Sequence, residues 1–485
     1  MTWFRKVAVF IVLAVILFGG YLFFNLVRFE SKQITTDSIV DFQPADSALH
    51  HFSEALKIKT ISPENPIDFD SIAFDQFTAF LASSYPLANS LLDKKNFLKY
   101  STLYTWKGSD PSLSPAVLMA HMDVVPVIGA NTTDWKYGAF DGKIAEDTVW
   151  GRGTLDDKIN VIALMESVEQ LLSQGYIPQR TLYISFGHDE ELGGQGAQAI
   201  ATYLKAEGIR PEFVLDEGSV IASGLIPGVA SDVALVGIAE KGFATIHLSV
   251  EIEGGHSSFP ANETAIDVLA AAIYKVKSNP FPAVLSDPLK QFFSFVGPEM
   301  DFPNNLVFAN VSVFSPVIKK IYESSNTGNA NVRTTTSPTV FHSGIKENVI
   351  PKRATASINF RIVPGETTQS VMDRVQTLID DDRVKLSLGD FISDPSPVSD
   401  PESDAFKLLQ QTINQVFPDA LVAPGMVVVA TDSRHFSDIS QNTFRFLPIR
   451  LDRTNISSIH GINERVAVSE YYTSIQFYGE LIKKL

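Results

Sequence analysis

The chain has 485 residues, carries a formal net charge of −16 and contains no cysteine. That length exceeds one ordinary domain and allows a sizeable buried core. The acidic balance excludes nucleic acid as a partner, since phosphate binding needs a basic stripe that no segment provides, and the absent thiols exclude disulfides and thiolate metal sites.

The first predicted element is an apolar helix. Residues 1–6 are short and basic, and residues 7–27 are almost wholly apolar, interrupted by Asn25 before Arg28. About 20 such residues can cross a bilayer. No small-residue cleavage site follows, so residues 1–28 read as an uncleaved transmembrane anchor rather than a signal peptide. Arg5 and Lys6 are expected to stay cytoplasmic, which places the bulk of the chain on the far side of the membrane, in a periplasmic, lumenal or extracellular space. Residues 29–50 are polar and read as a linker. Helical spacing of apolar residues over 46–57 and 71–85 then opens the soluble fold.

After a predicted strand at 98–106, strands and helices alternate as in a doubly wound sheet, and their turns carry ligand-type side chains. The apolar run 116–120 ends on His121 and Asp123, the strand 181–187 on Glu190 and Glu191, and the strand 213–215 on Asp216. Asp156 precedes a helical run through Ile159, Ile162, Met165 and Val168, where it can both cap the helix and bind a ligand. The carboxyl ends of strands are where open α/β sheets place their ligands. With His460 as a late imidazole, one ligand-type residue from each turn gives a set of two imidazoles and three carboxylates without a thiolate. That mixture suits zinc, manganese or cobalt in a catalytic site rather than a closed structural one.

Beyond residue 236 the pattern changes to a strand at 243–252, a helix at 263–277, a strand at 353–362, a helix at 367–381 and a strand at 384–389. This suits a small α+β domain inserted into the first. Residues 281–341 enlarge it and include Phe281, Phe292, Phe293, Phe295, Phe302, Phe308 and Phe314, which fill its core or line an acyl tunnel. From Asp404 the chain returns to helix and strand, and a last helix over 469–484 closes the first domain. No Gly-x-Ser-x-Gly elbow occurs, which excludes the common serine hydrolase arrangement.

The segments GSDPS at 108–112, LMAHMDVVP at 118–126, GRGTLDDK at 151–158, GHDEE at 187–191 and RTTT at 333–336 resemble the di-zinc metallopeptidase family that includes aminoacylase-1, glutamate carboxypeptidase and carboxypeptidase S. Within it they are most similar to the N-fatty-acyl-amino-acid synthase/hydrolase branch. The resemblance runs from about residue 53 to the C-terminus. It implies an α/β fold: a mixed doubly wound sheet catalytic domain over 51–239 and 391–485, with an inserted α+β lid/dimerisation domain over 240–390.

The same resemblance implies two Zn2+ ions, with Mn2+ or Co2+ as substitutes. Asp156 would bridge them, His121 and Asp216 completing one site and Glu191 and His460 the other. Asp123 would orient His121, as carboxylates behind metal-bound imidazoles do. Glu190 would serve as the general base. The lid segment GGHSS at 254–258 resembles the motif whose histidine, here His256, reaches the active site of the other subunit in a homodimer. Arg434 matches a position that binds a substrate carboxylate, and Asn348 and Arg361 match lid positions that contact substrate. Val429 and Ala430 replace the usual glycine pair before Thr431, a departure that bears on backbone approach to substrate. His50, His51, His188, His247, His342 and His435 receive no metal role. The expected activity is hydrolysis of the amide bond in N-acyl amino acids, fatty-acyl ones and reversibly among them. The alternative is a carboxypeptidase acting on short peptides. A catalytically dead membrane-anchored binding protein is a third possibility, but neither Glu190 nor any ligand is missing.

Overall fold

The computed structural model describes residues 3–36, 40–63, 65–127 and 134–485. Residues 1–2 of the expected anchor and 37–39 of the expected linker lie outside these.

The helix Trp3–Val27 has no buried residue, and among the described residues it alone is long and apolar enough to cross a membrane. Its last turns rest on the body of the protein. Residues 29–36, expected as a linker, are pinned down. Gln33 pairs with both the N–H and the carbonyl of Val422 (2.8 and 3.0 Å), Gln410 donates to the Lys32 carbonyl, and Lys32 meets Glu402 at 2.6 Å.

The main sheet has ten strands. Its central run is Ser101–Trp106, Leu182–Gly187, Ala116–His121, Phe213–Asp216 and Thr443–Arg445, followed by Val233–Glu240, to which Leu421–Val427 adds in parallel. Ala116–His121 runs parallel to both Leu182–Gly187 and Phe213–Asp216, so their carboxyl ends share one edge. These strands read as unbroken apolar runs because both faces are covered. Leu118 and Ala120 pack with the helices Ala48–Lys57, Lys158–Ser173 and Val468–Lys483, whereas Val117 and Met119 face the helix Gln195–Ala206. The predicted strand 98–106 is instead a hairpin, Asp93–Phe97 against Ser101–Trp106, turning through positive φ at Leu98 and Lys99.

The chain leaves this sheet after Glu240 and forms a four-stranded antiparallel sheet in the order Thr335–Ser343, Arg353–Ile362, Gly242–Glu251, Val384–Ser393. Here the period is two. Ala244, Ile246, Leu248 and Val250 point into a core closed by the helices Ala265–Ser278 and Thr368–Ile379, each begun by a threonine capping box.

The phenylalanines of the insertion do not share one environment. Phe281 joins the core of the small sheet, whereas Phe295 packs edge-on against Phe406 in the main core. Phe293 belongs to a separate cluster with Leu289, Ile318 and Val332, against which Phe292, Phe308 and Phe314 rest, and Phe302 is exposed. The helix Asp287–Val296 thereby packs on the main sheet rather than extending the small one.

Candidate active site

Strand ends and two loops converge on Asp156. Its Oδ1 lies 2.8 Å from His121 Nε2 and its Oδ2 lies 2.9 Å from His460 Nε2, so each carboxylate oxygen meets one imidazole. Those two contacts outweigh burial and hold the Asp156 carboxyl well below its usual range. His460 also approaches Glu191 Oε1 at 3.2 Å, and its partners push its pKa up to about 10.

Asp123 sits behind this arrangement, fully buried. Its Oδ1 is 3.2 Å from His121 Nδ1, and its two oxygens accept the backbone N–H groups of Glu190 and Glu191 at 3.1 Å each, while Ser62 donates to it at 2.6 Å. One carboxylate thus orients the imidazole and the acidic turn together.

Donor atoms lie within 4.8 Å of one another in two sets, His121 with Glu190 and Glu191, and Asp156 with Glu191 and His460. Asp216 belongs to neither set. It is buried at the adjacent strand end, where its Oδ2 accepts the Ser433 N–H at 2.7 Å. His256 and Asn348 are not brought to the cluster within the chain. They lie at a two-stranded ribbon, Gly255–His256 against Val349–Ile350, where His256 pairs with Val349 and Ser257 donates to the Asn348 carbonyl, and both are exposed. Arg361 lies on the small sheet with its guanidinium 4.6 Å from the centre of the Phe243 ring. Arg434 is closer in. It donates to the carbonyls of Thr431 (3.0 Å) and Gly193 (2.8 Å), two residues beyond Glu191, and stacks on Phe391.

Several groups here escaped the sequence reading. Arg152 and Glu464 form a buried ion pair; Glu464 accepts the N–H groups of Gly153 (3.0 Å) and Leu155 (2.8 Å), and Arg152 donates to the carbonyls of His460 (3.1 Å) and Gly461 (3.2 Å). The pair ties the turn carrying Asp156 to the loop carrying His460. Asp157 accepts the backbone N–H of His121 at 3.2 Å and the Asn160 side chain at 2.8 Å. Asp432 is buried with neither oxygen hydrogen-bonded, between Gly187 and Gly194, where a Cβ on either glycine would collide with it. Arg152 and Asp157 stand inside the segment GRGTLDDK and Glu464 lies four residues after His460, so their positions were visible while their partners were not.

The donor set fits cations. Asp123, Asp156, Asp157, Glu190, Glu191, Asp216, Glu217 and Asp432 crowd one region with two imidazoles. Burial first, and then repulsion among neighbours, pushes the carboxyls of Asp157, Glu190, Glu217 and Asp432 far above the usual range. Glu191 Oε1 is buried and, among the described residues, has no polar contact besides His460 Nε2 at 3.2 Å. Buried carboxylates in this excess are stable when paired with metal or proton.

An α/β sheet that collects imidazoles and uncompensated carboxylates along one edge defines a metal-binding α/β enzyme. The chain matches the description Peptidase family M20/M25/M40 over residues 117–484, and it belongs to that family. It is 43% identical over 471 residues to probable carboxypeptidase S-like 2 of Dictyostelium discoideum, covering 95% of this chain and 90% of that protein. It is 42% identical over 435 residues to the N-fatty-acyl-amino acid synthase/hydrolase PM20D1 of Xenopus tropicalis, covering 88% and 84%. The crystal structure of the M20 family metallo-carboxypeptidase Sso-CP2 from Sulfolobus solfataricus shares the fold, with a TM-score of 0.66 at 16% identity over 90% of this chain and 99% of that one.

Proposed function

We propose that the protein is a two-metal amide hydrolase that releases the acyl group from N-acyl amino acids, long-chain ones included. The observation that carries the reading is Asp156, each oxygen of which meets a different imidazole, as a carboxylate shared between two cations requires. Two Zn2+ ions would be held by His121, Asp156 and Asp216 on one side and Asp156, Glu191 and His460 on the other. When bound, such a pair polarises a carbonyl and makes hydroxide available near neutral pH.

The protein's own groups do the rest. Glu190 is the general base: burial and the neighbouring Asp432 and Glu191 raise its affinity for a proton, so it takes one from water and returns it to the departing amine. Asp123 keeps Glu190 in place through its backbone N–H and holds the His121 tautomer. Arg434 has the planar fork that suits the free carboxylate of the amino-acid product, and it lies on the Gly193 carbonyl beside the acidic turn. Asn348, Arg361 and His256 are assigned to substrate contact from the lid over residues 240–390, with the partner subunit's His256 completing each site of a homodimer. The helix Trp3–Val27 is assigned as an uncleaved anchor that holds the catalytic body on the extracytoplasmic side.

A second reading, a carboxypeptidase on short peptides, is favoured by the 43% identity to the carboxypeptidase S-like relative. The same arginine and metal ligands serve either substrate. The deciding experiment offers the purified protein N-acyl-phenylalanines from acetyl to oleoyl and Gly-Leu type dipeptides, with and without chelator. Each methylene buried in an apolar channel is worth about 0.8 kcal/mol, so kcat/KM should climb with acyl length. A flat series, or dipeptides turned over faster throughout, would return the protein to the carboxypeptidase reading; activity untouched by chelator would remove the metal mechanism.

A further inference from the structure

The C-terminal turns of the apolar helix Trp3–Val27 do not leave the body freely. Leu22, Asn25, Leu26 and Phe29, spaced as one helical stripe, are half-buried, while Tyr21, Phe23, Phe24 and Val27 are exposed. Asn25 donates to the Asn310 side chain at 2.8 Å, and buried Asn310 donates back to the Leu22 carbonyl at 3.1 Å. The ring of Phe29 rests against Gly297, where a side chain would collide with it. With Gln33 and Lys32 pinned as described, the helix and the insertion segment 297–323 form one packed joint.

That joint has an apolar surface with no partner among the described residues. The helix Val311–Glu323 directs Ile318 inward, yet Val313, Val317 and Ile321, at successive i+4 positions, are 37%, 54% and 62% exposed. Phe302, just before the helix Asn304–Ala309, is 72% exposed. A helix apolar on both faces is ordinarily buried on both. Beside the stripe, a cavity of about 420 Å3 opens between Phe29, Leu285, Phe308 and Val311, with Lys290 and Lys319 at its lining, and Lys320 is exposed between Val317 and Ile321.

The geometry locates this surface along the membrane normal. A helix of 25 residues is about 37 Å long, whereas the hydrocarbon core is about 30 Å thick. With Arg5 and Lys6 at the cytoplasmic face, the apolar residues 7–27 span about 31 Å, so the turns around residues 22–27 stand at the outer boundary of the hydrocarbon core, and Asn310 holds the helix Val311–Glu323 to them. The exposed apolar area of Phe302, Val313, Val317 and Ile321 is roughly 400 Å2, about half of the ~800 Å2 per partner of a standard protein interface. A lipid leaflet fits better than a second copy: it needs no complementary patch, and lysines flanking an apolar stripe are the pattern of interfacial helices.

We propose that the helix Val311–Glu323 together with Phe302 is a second membrane contact, seated in the leaflet around the end of Trp3–Val27 with Lys290, Lys319 and Lys320 at the lipid phosphates. It rests on reading Trp3–Val27 as a span. The consequence is a body held in one orientation on the bilayer rather than swinging on a tether.

The chain has no cysteine, so a single introduced thiol reports alone. Full-length protein carrying Phe18→Cys, Val317→Cys, Ile321→Cys or Tyr274→Cys is labelled with an environment-sensitive fluorophore. Each is reconstituted in phosphatidylcholine vesicles containing one-quarter phosphatidylglycerol, with and without lipids brominated on their acyl chains. Labels at 18, 317 and 321 should be quenched by the bromolipid and the label at 274 should not. Quenching at 18 with 317 and 321 behaving like 274 overturns the second contact while leaving the span intact. No quenching at 18 overturns the span and the contact with it. Shielding at 317 and 321 that grows with protein concentration in detergent, without bromolipid quenching, assigns the face to a second copy and also overturns the proposal.

Discussion

Replacing Glu464 with glutamine removes one negative charge from the point where the turn of Asp156 and the loop of His460 are fastened. Glu464 is fully buried and Arg152 is 2% exposed, so the substitution leaves a guanidinium in the interior without its counter-charge. Breaking a buried pair from one side costs about 3–5 kcal/mol. Glutamine still offers an oxygen to the N–H groups of Gly153 and Leu155, which keeps the cost toward the lower end of that range. At about 2–4 °C per kcal/mol for a large domain, the melting temperature should fall by about 6–20 °C. Burial pushes the Glu464 carboxyl up to about 7, so the comparison belongs at pH 8, where it is ionised. The assay is a thermal melt at pH 8, paired with metal content after dialysis against graded chelator. Because Arg152 also holds the carbonyls of His460 and Gly461, metal should be lost at about 10–100-fold lower chelator activity than in wild type. A melting temperature within 2 °C of wild type together with unchanged metal retention would refute the clamp.

Glu190→Gln should keep its metal and lose about 10²–10⁴-fold in turnover, whereas Asp156→Ala should lose metal; elemental analysis beside kcat separates the two, and near-wild-type activity in metal-loaded Glu190→Gln sinks the base assignment. His435 donates toward the Gly193 carbonyl at 3.2 Å, and burial followed by the Arg434 charge lowers its pKa to about 4. Below the unfolded value of 6.5 the unfolded chain takes a proton that the native imidazole refuses, so stability should fall between pH 6.5 and about 4 by no more than about 3 kcal/mol. His435→Gln should flatten that part of a urea-denaturation profile, and an unchanged slope would contradict it. Chains carrying His256→Ala and chains carrying Glu190→Gln, inactive apart, should regain activity when mixed, because one site of the mixed dimer is complete; no recovery after verified subunit exchange would confine His256 to its own subunit or to no role.

Local order determined much of this protein. The β-periodic run 353–362 forms its strand over the predicted residues and the apolar run 7–27 forms a helix that starts four residues earlier and ends where predicted, because burial pattern and period are written in neighbouring residues. The strand ends at His121, Glu190 and Asp216 were legible for the same reason: an apolar run that stops on a carboxylate or imidazole marks a sheet edge. Tertiary structure decided what those side chains meet. Glu464 follows Arg152 by 312 positions, and no local signal states that a buried guanidinium needs that one carboxylate. The phenylalanines of residues 281–314 look alike in sequence, yet Phe281, Phe293 and Phe295 enter three different cores, since a hydrophobic residue specifies burial but not the surface that buries it. Residues 29–36 are polar and read as a tether, but Gln33 completes its hydrogen bonds on the edge of the strand Leu421–Val427, nearly four hundred positions away. Polarity is the same for a solvated linker and for a docked strap; only the presence of an unpaired sheet edge within reach distinguishes them, and that edge exists only once the chain has folded.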